Sequence, residues 1–210
     1  MATDTHPDAD GAVLEQAVAA FDGAVDRWFE PIRGVPSVDR VMYGATAIGE
    51  DGRIWLAAAA FLALRPSTRR RSLRLLVWLG IETVLVNGPL KKVVGRSRPE
   101  APDERPHTIR VQTTSSFPSG HSASSAAMAT ILSEGSAWAP LWWAIALTIA
   151  MSRVHVRDHH ASDVLGGLLV GTGMGLLGRR LGPLDVEPPV GCAQPLKASS
   201  RRRASSSLSR

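Results

Sequence analysis

The sequence predicts an all-α fold: a polytopic transmembrane helix bundle of about five spans, preceded by an N-terminal amphipathic helix. Three observations carry this expectation. Apolar runs almost free of charge alternate with Arg-rich connectors. In the last of those runs Gly167, Gly171 and Gly175 recur at four-residue steps, a ridge that lets a neighbouring helix approach closely. Between Ala12 and Pro31, Leu14, Val18, Phe21, Val25 and Trp28 repeat at three- and four-residue steps, with Glu15, Asp22 and Asp26 on the other side. The mean hydropathy of +0.01 hides this pattern, because it averages the apolar runs with basic connectors and a polar tail.

The 210 residues leave room for one domain plus tails. Residues 1–11 are polar and read as a disordered N-terminus. Residues 12–181 read as one membrane-embedded domain, with the amphipathic helix at 12–31 and a helical core at 42–181. The helix either lies in the membrane interface or docks on the bundle, and its acids favour docking. The first span is the least regular: Ile54 to Leu64 supplies 11 uncharged residues, against the ~20 that cross a bilayer. Extending it back to Met42 takes in Glu50, Asp51 and Arg53, which must then pair or face the protein interior.

Arg65, Arg69, Arg70, Arg71 and Arg74 follow as the strongest positive-inside signal. A second span, Leu75 to Leu90, is interrupted by Glu82 and Asn87 and delivers Lys91 to the opposite surface. Residues 91–118 form a polar loop of a length that usually carries function. Ser122 to Leu132 is rich in Ala and Ser, suited to close packing, and a turn at Glu134 and Gly135 leads into Trp138 to Ala150. There Trp138, Trp142 and Trp143 suit an interfacial belt. The last span, Ala161 to Leu177, is closed by Arg179 and Arg180 on the side of the first Arg cluster. Residues 182–210 read as a disordered basic tail.

Charge and cysteine usage narrow the function classes. The net charge of +5 is concentrated at residues 65–74, 91–98 and 197–210, without the aromatic-rich basic strand or zinc-finger spacing of a nucleic-acid binder. Beside apolar runs, such blocks mark a cytoplasmic membrane face or hold phosphate. The single cysteine, Cys192, leaves neither a disulfide nor a thiolate metal site and reads as inert. The first 20 residues are acidic and lack the basic and apolar regions of a secretion signal, so a membrane destination rests on the internal spans. Nothing in the sequence sets the oligomeric state.

Alternating spans deliver three polar stretches to one face. They carry Lys91 with Arg98, then Ser119, Gly120 and His121 at a helix start, then Arg153, His159 and Asp163. If the chain is helical from His159, His159 and Asp163 share a face four residues apart, so the carboxylate can accept the Nδ1 proton and leave Nε2 free to attack. The competing structural reading is that Asp163 caps the next helix. Three cations, a helix N-terminus and two imidazoles describe a pocket for a dianionic tetrahedral group.

These stretches resemble the signature of the type 2 phosphatidic acid phosphatase superfamily, which also includes bacterial acid phosphatases and vanadium haloperoxidases. Its three parts, K-x6-R-P, P-S-G-H and S-R-x5-H-x3-D, read here as Lys91 with Arg98 and Pro99, Pro118 to His121, and Ser152 and Arg153 with His159 and Asp163. The resemblance implies His159 as a nucleophile that forms a phosphohistidine, Asp163 orienting it, and His121 as the acid and then base. It also implies that Lys91, Arg98, Ser119, Gly120 and Arg153 hold the phosphate oxygens, with no metal and no cofactor.

By the same resemblance the partners are a lipid phosphate substrate and membrane lipids, and the small size and Ala/Arg-rich composition favour a polyprenyl-type substrate. The expected place is the plasma membrane, multi-pass, with the pocket outside the cytoplasm. Competing readings are a soluble-type acid phosphatase, a vanadate-dependent haloperoxidase, and a non-enzymatic membrane scaffold. Outside the signature, His155 and His160 read as packing or interface histidines, and Lys92 and Arg96 as solvated or against lipid headgroups. Asp158 pairs with Arg157 or Arg153, and Glu50 and Glu82 are intramembrane acids without an assigned partner.

Overall fold

The computed structural model describes residues 7–100, 106–108, 110 and 112–181, and every regular element among them is helical. The expected disorder at residues 1–6 and 182–210, with Cys192, lies outside the described residues. Helix α1 (Pro7–Phe29) begins ahead of the expected start at Ala12. Residues 7–11 are thus helical rather than disordered, with a proline at the first position, where its missing N–H costs nothing.

Of the two readings for this helix, docking is the one observed. Phe29 is buried in a small apolar cluster with Ala150, Val154, Ala161 and Val164, although Leu14 and Trp28 stay exposed. Just beyond the helix, Arg33 donates to the carbonyls of Val154 (3.1 Å) and His155 (3.0 Å) and pairs with Asp26 (2.5 Å). It thereby satisfies the His155 carbonyl at the end of a neighbouring helix and adds a second donor to that of Val154, which also accepts Arg157 N.

The stretch from Met42 to Leu64 is not one helix. Helix α2 (Pro36–Gly49) ends in a tight turn at Glu50–Gly52, and α3 (Arg53–Ala63) starts afresh. Asp51 and Gly52 adopt left-handed backbone (φ 51° and 68°), a conformation that glycine takes freely and aspartate tolerates. The acids that made a continuous span costly therefore lie in the turn.

Helix α4 (Arg69–Leu85) runs through a π-helical segment, Val86–Leu90, into the short α5 (Lys91–Val94). The widened segment accommodates Pro89, which has no N–H to give to a regular ladder. Lys91 thus sits on a helix and not in the loop that follows.

Helix α6 (Gly120–Leu132) is the centre of the bundle, with every residue from Ser122 to Leu132 buried. It packs on α4, on α7 (Ala139–His155) and most extensively on α8 (Ala161–Leu181). The glycine ridge explains that last contact. A Cβ at Gly167 would stand 2.5 Å from the Ser119 carbonyl oxygen, one at Gly171 would overlap the Ala123 backbone, and one at Gly175 would stand 2.6 Å from Thr130 Cβ. Ser119, Ala123 and Thr130 thus meet Gly167, Gly171 and Gly175 in the same order, so α6 and α8 run parallel.

Gly178 abuts Trp78 of α4, and Arg74 of α4 pairs with Glu134 just past the end of α6. The Arg-rich start of α4 and the Arg179–Arg180 end of α8 therefore share one end of the bundle. The starts of α6 and α8 and the ends of α5 and α7 share the other.

The outside of the bundle is apolar. Leu73, Val77 and Val84 on α4, Phe61 and Leu64 at the end of α3, and Leu169 and Leu181 on α8 are exposed. Such a surface suits lipid rather than water. Among the described residues, Pro66–Val94 and Ala161–Leu181 are long and apolar enough to cross a membrane, while α3, α6 and α7 are shorter. Gly171→Leu is expected to lower the thermal midpoint of the detergent-purified protein, at a cost of about 1–3 kcal/mol or more from overpacking. Gly173→Leu, where an added Cβ meets nothing within 4 Å, should leave it unchanged.

Candidate active site

Gly95 ends α5 in left-handed backbone (φ 55°), and the chain then runs without regular structure through Arg96 and Arg98. Two bonds bind that run to the segment before α6: Ser116 N donates to Arg96 O (2.8 Å) and Arg96 N to Ser115 Oγ (3.0 Å). The turn after α7 is closed by Asp158 N and His159 N, both donating to Arg153 O at 3.1 Å, with Arg157 in left-handed backbone (φ 53°). These connections bring the three polar stretches together at one end of the bundle.

A cavity of about 330 Å³ opens there, with Lys91, Arg98, Gly120, His121 and His159 on its wall. Arg153 lies behind His159, 1% exposed. Lys91 Nζ donates to Thr114 Oγ1 (3.2 Å) and Arg98 Nε to Thr114 O (3.2 Å). Asp158 bridges the two arginines: its Oδ2 accepts Arg98 Nη1 at 2.8 Å and also pairs with Arg153. Of the two partners open to Asp158, Arg153 is the one observed, and Arg157 pairs with Glu30 (2.6 Å) instead. Among the described residues, Arg98 Nη2, Arg153 Nε and Arg153 Nη1 are buried donors without a partner. In a low-dielectric site such donors are matched by an anion.

His159 is 3% exposed and held on both edges. Its Nε2 lies 3.3 Å from Arg98 Nη1 and 3.6 Å from Asp158 Oδ2. Its Nδ1 lies 3.8 Å from Asp163 Oδ2, beyond a direct hydrogen bond. Ser116 stands between, with Oγ 3.4 Å from that nitrogen and 2.5 Å from the carboxylate oxygen. Asp163 also accepts the His160 N–H (2.8 Å) at the start of α8, so the capping reading is observed, whereas the expected direct bond to His159 Nδ1 is replaced by a contact through Ser116.

Burial pushes the His159 imidazole down to about 4, with Arg153 adding to the effect and Asp163 opposing it. Desolvation is thus the foremost reason that the imidazole favours its neutral form. For Asp158, burial alone would raise the carboxyl, but Arg153 foremost among its neighbours holds it below its ordinary value.

Ser119 is fully buried and away from the cavity wall. Its Oγ caps α6 by accepting Ser122 N (3.4 Å) and Ser122 Oγ (3.0 Å). Gly120 faces the π-helical segment, where an added Cβ would stand 3.0 Å from Asn87 Oδ1. His121 Nε2 is buried, without a hydrogen-bond partner, and 3.9 Å from Glu50 Oε2. Glu50 faces this cavity and not lipid: it accepts Gln112 Nε2 (3.3 Å) and lies 3.8 Å from Arg110.

Arg96 is neither solvated nor against lipid headgroups, but paired with Asp22 (2.7 Å) and Asp163 (2.6 Å). His155 is a packing histidine, 2.7 Å from Asp39 Oδ1 and edge-on to Phe29 and Tyr43. Sequence reasoning missed Asp158 as the bridge, Ser116, Glu50 and Arg96. Only Asp158 carried a signal, as an acid set among the cations of the third motif. Among the described residues, no cluster of His, Cys, Asp and Glu is arranged to hold a metal ion.

A helical bundle with an apolar exterior and a cationic cavity at one end fits a membrane protein whose pocket suits an anion. Residues 71–184, more than half of the chain, match the family model of the PAP2 superfamily, and the chain belongs to that family. It is 34% identical over 137 residues to the decaprenylphosphoryl-5-phosphoribose phosphatase of Mycolicibacterium smegmatis, covering 60% of this chain and 71% of that one. Its fold is similar to the transmembrane PAP2-type phosphatidylglycerolphosphate phosphatase of Bacillus subtilis, with a TM-score of 0.63 and 29% identity over 79% of this chain and 86% of that one. It also shares the fold of Aquifex aeolicus LpxE, with a TM-score of 0.60 and 24% identity over 75% and 93% of the two chains. The protein is a phosphatase of this superfamily.

Removing the bridging carboxylate should be costly. Asp158→Ala leaves two buried guanidinium groups without their shared counter-charge and is expected to destabilise the fold by about 3–5 kcal/mol, read as a lowered thermal midpoint. Millimolar phosphate in the buffer should restore part of the loss.

Proposed function

We propose that this chain is an integral membrane phosphatase that hydrolyses a lipid phosphate or diphosphate through a phosphohistidine at His159, without metal. The observation that carries this reading is the two-sided setting of His159. Its Nδ1 edge faces Ser116 and Asp163, whereas its Nε2 edge faces Arg98 and the Asp158 carboxylate that pairs with Arg98 and Arg153. A proton held on Nδ1 leaves the Nε2 lone pair directed at a phosphorus whose oxygens occupy the unpaired donors of Arg98 and Arg153.

In the first step Nε2 bonds to phosphorus, the bond from phosphorus to the leaving oxygen breaks, and His121 protonates that oxygen. In the second, His121 takes a proton from water, the resulting hydroxide attacks phosphorus, and the P–N bond breaks to release phosphate. Lys91, Arg98, Arg153 and the α6 N-terminus at Gly120 hold the non-bridging oxygens throughout. Ser119 contributes by fixing that N-terminus as its cap.

Polyprenyl-type substrates are favoured, because the Mycolicibacterium smegmatis relative is named for a polyprenylphosphoryl sugar phosphate. Residues 12–181 form one membrane-embedded domain with about five spans, through α3, α4, α6, α7 and α8. The pocket end faces away from the cytoplasm, since the Arg65–Arg74 connector and Arg179–Arg180 stand at the opposite end.

His159→Ala is expected to abolish phosphate release from lipid phosphates by the detergent-purified protein, and acid-labile phosphoenzyme should be trapped from wild type only. Undiminished release by His159→Ala would overturn the reading. The pH profile gives a separate check. The imidazole is neutral above its depressed value of about 4 and gains a proton only as pH falls through it. The acid limb of kcat/KM assigned to this group, after correction for ionisation of the substrate, should therefore lie near pH 4. An ordinary histidine would place it near ~6.5.

A further inference from the structure

Helix α1 precedes the residues that match the family model, yet one of its side chains reaches the core of the site. Asp22 is buried, 7% exposed, and makes three short bonds. Its Oδ1 accepts Ser162 N at 2.8 Å, and its Oδ2 accepts Ser162 Oγ at 2.8 Å and Arg96 Nη2 at 2.7 Å. The other arm of the same guanidinium, Nη1, donates to Asp163 Oδ1 at 2.6 Å and to Ser162 Oγ at 2.6 Å. Asp163 Oδ2 is taken by Ser116 Oγ and the His160 N–H. Both oxygens of the carboxylate beside His159 Nδ1 are therefore fixed from outside the phosphate cavity, one by Arg96 and one by the local turn.

Arg96 does not line the cavity that holds Lys91, Arg98 and His121. It lines a separate one of about 520 Å³ that reaches His159 from the α1 side, with Asp22 on the same wall. The planar fork of arginine suits this place, because two divergent N–H arms hold two carboxylates at once, whereas an ammonium is a single point charge. A surface pair that merely anchors α1 would need neither burial nor the second carboxylate.

We propose that Asp22 and Arg96 are positioning residues for hydrolysis: the guanidinium, clamped between Asp22 of α1 and Asp163 of α8, fixes Asp163 and through it the attacking imidazole. The inference rests on the reading of His159 as nucleophile. Helix α1 is then part of the catalytic apparatus at one remove, and its docking sets the geometry of the His159–Ser116–Asp163 group.

The test is steady-state phosphate release from a polyprenyl phosphate in detergent, per mole of monodisperse protein, with the thermal midpoint measured alongside. Arg96→Gln and Asp22→Asn are expected to lower kcat about 10- to 100-fold, the cost of a misplaced reacting group, with KM within about twofold of wild type. In an Asp163→Asn background, Arg96→Gln should cause no further loss, because its effect passes through that carboxylate. Arg96→Lys should keep the wild-type midpoint and still lose kcat.

Wild-type kcat in both single variants, a multiplicative loss in the double variant, or wild-type kcat in Arg96→Lys would each overturn the proposal. So would a failure of all three single variants to fold, which would make Arg96 an anchor only. Activity surviving in His159→Ala would instead remove the nucleophile reading on which the proposal rests.

Discussion

Concentrated positive charge in a site largely shut off from water is the constraint on which the rest of the structure depends. Lys91, Arg98 and Arg153 converge around His159, and two of them are held by the single carboxylate of Asp158. Like charges at this depth repel strongly, and each loses hydration on burial. The fold tolerates them because each guanidinium is anchored on one side by Asp158 or by backbone carbonyls. The donors left over, Arg98 Nη2 and Arg153 Nε and Nη1, have no partner among the described residues and suit an anion.

Holding that arrangement demands a rigid frame, and small residues supply it. Gly167, Gly171 and Gly175 let α8 close on the backbone of α6, so the start of α6 and the start of α8 cannot drift apart. The bond from Ser119 N to Asp163 O (3.0 Å) ties those two starts directly, linking the Gly120–His121 segment to the His159–Asp163 segment. Packing of apolar groups gives little drive to association inside lipid, where close backbone approach and interhelical hydrogen bonds take over. Here both meet at the functional end of the bundle.

Much of this was legible in the sequence, and what escaped has physical reasons. The glycine spacing announced a close helix contact on α8 without naming its partner, and the three motifs contained Lys91, Arg98, Gly120, His121 and His159, which line one cavity. The break at Glu50–Gly52 was not legible, because an acid-rich interruption of an apolar run is equally consistent with a paired intramembrane cluster. The continuation past Leu90 to Val94 was hidden by Lys91 and Lys92, whose charges end the apolar run and read as the start of a polar loop. Arg96 looked like a spare cation because its two partners lie on α1 and α8, 74 and 67 residues away in sequence. Periodicity and motif spacing describe one segment at a time, so contacts between distant segments stay invisible unless a known signature joins them.

The charge balance also accounts for the presence of an acid next to an anion site. Asp158 Oδ2 stands 3.6 Å from His159 Nε2, where a bare carboxylate would repel incoming phosphate. Paired with Arg98 and Arg153 it does the reverse, orienting both forks while lowering the positive excess. Three cations against one carboxylate leave a surplus of two, the charge of a phosphate monoester dianion. The second acid on the cavity wall, Glu50, stands apart from this group, near His121 and with Arg110 at 3.8 Å. The acids are therefore divided by position. In the proposed mechanism, Asp158 and Asp163 stand on the side where the P–N bond would form and break, and Glu50 borders the side where His121 would meet the leaving oxygen. A pocket with fewer cations would bind the dianion weakly, and one without Asp158 would hold released phosphate too tightly to turn over.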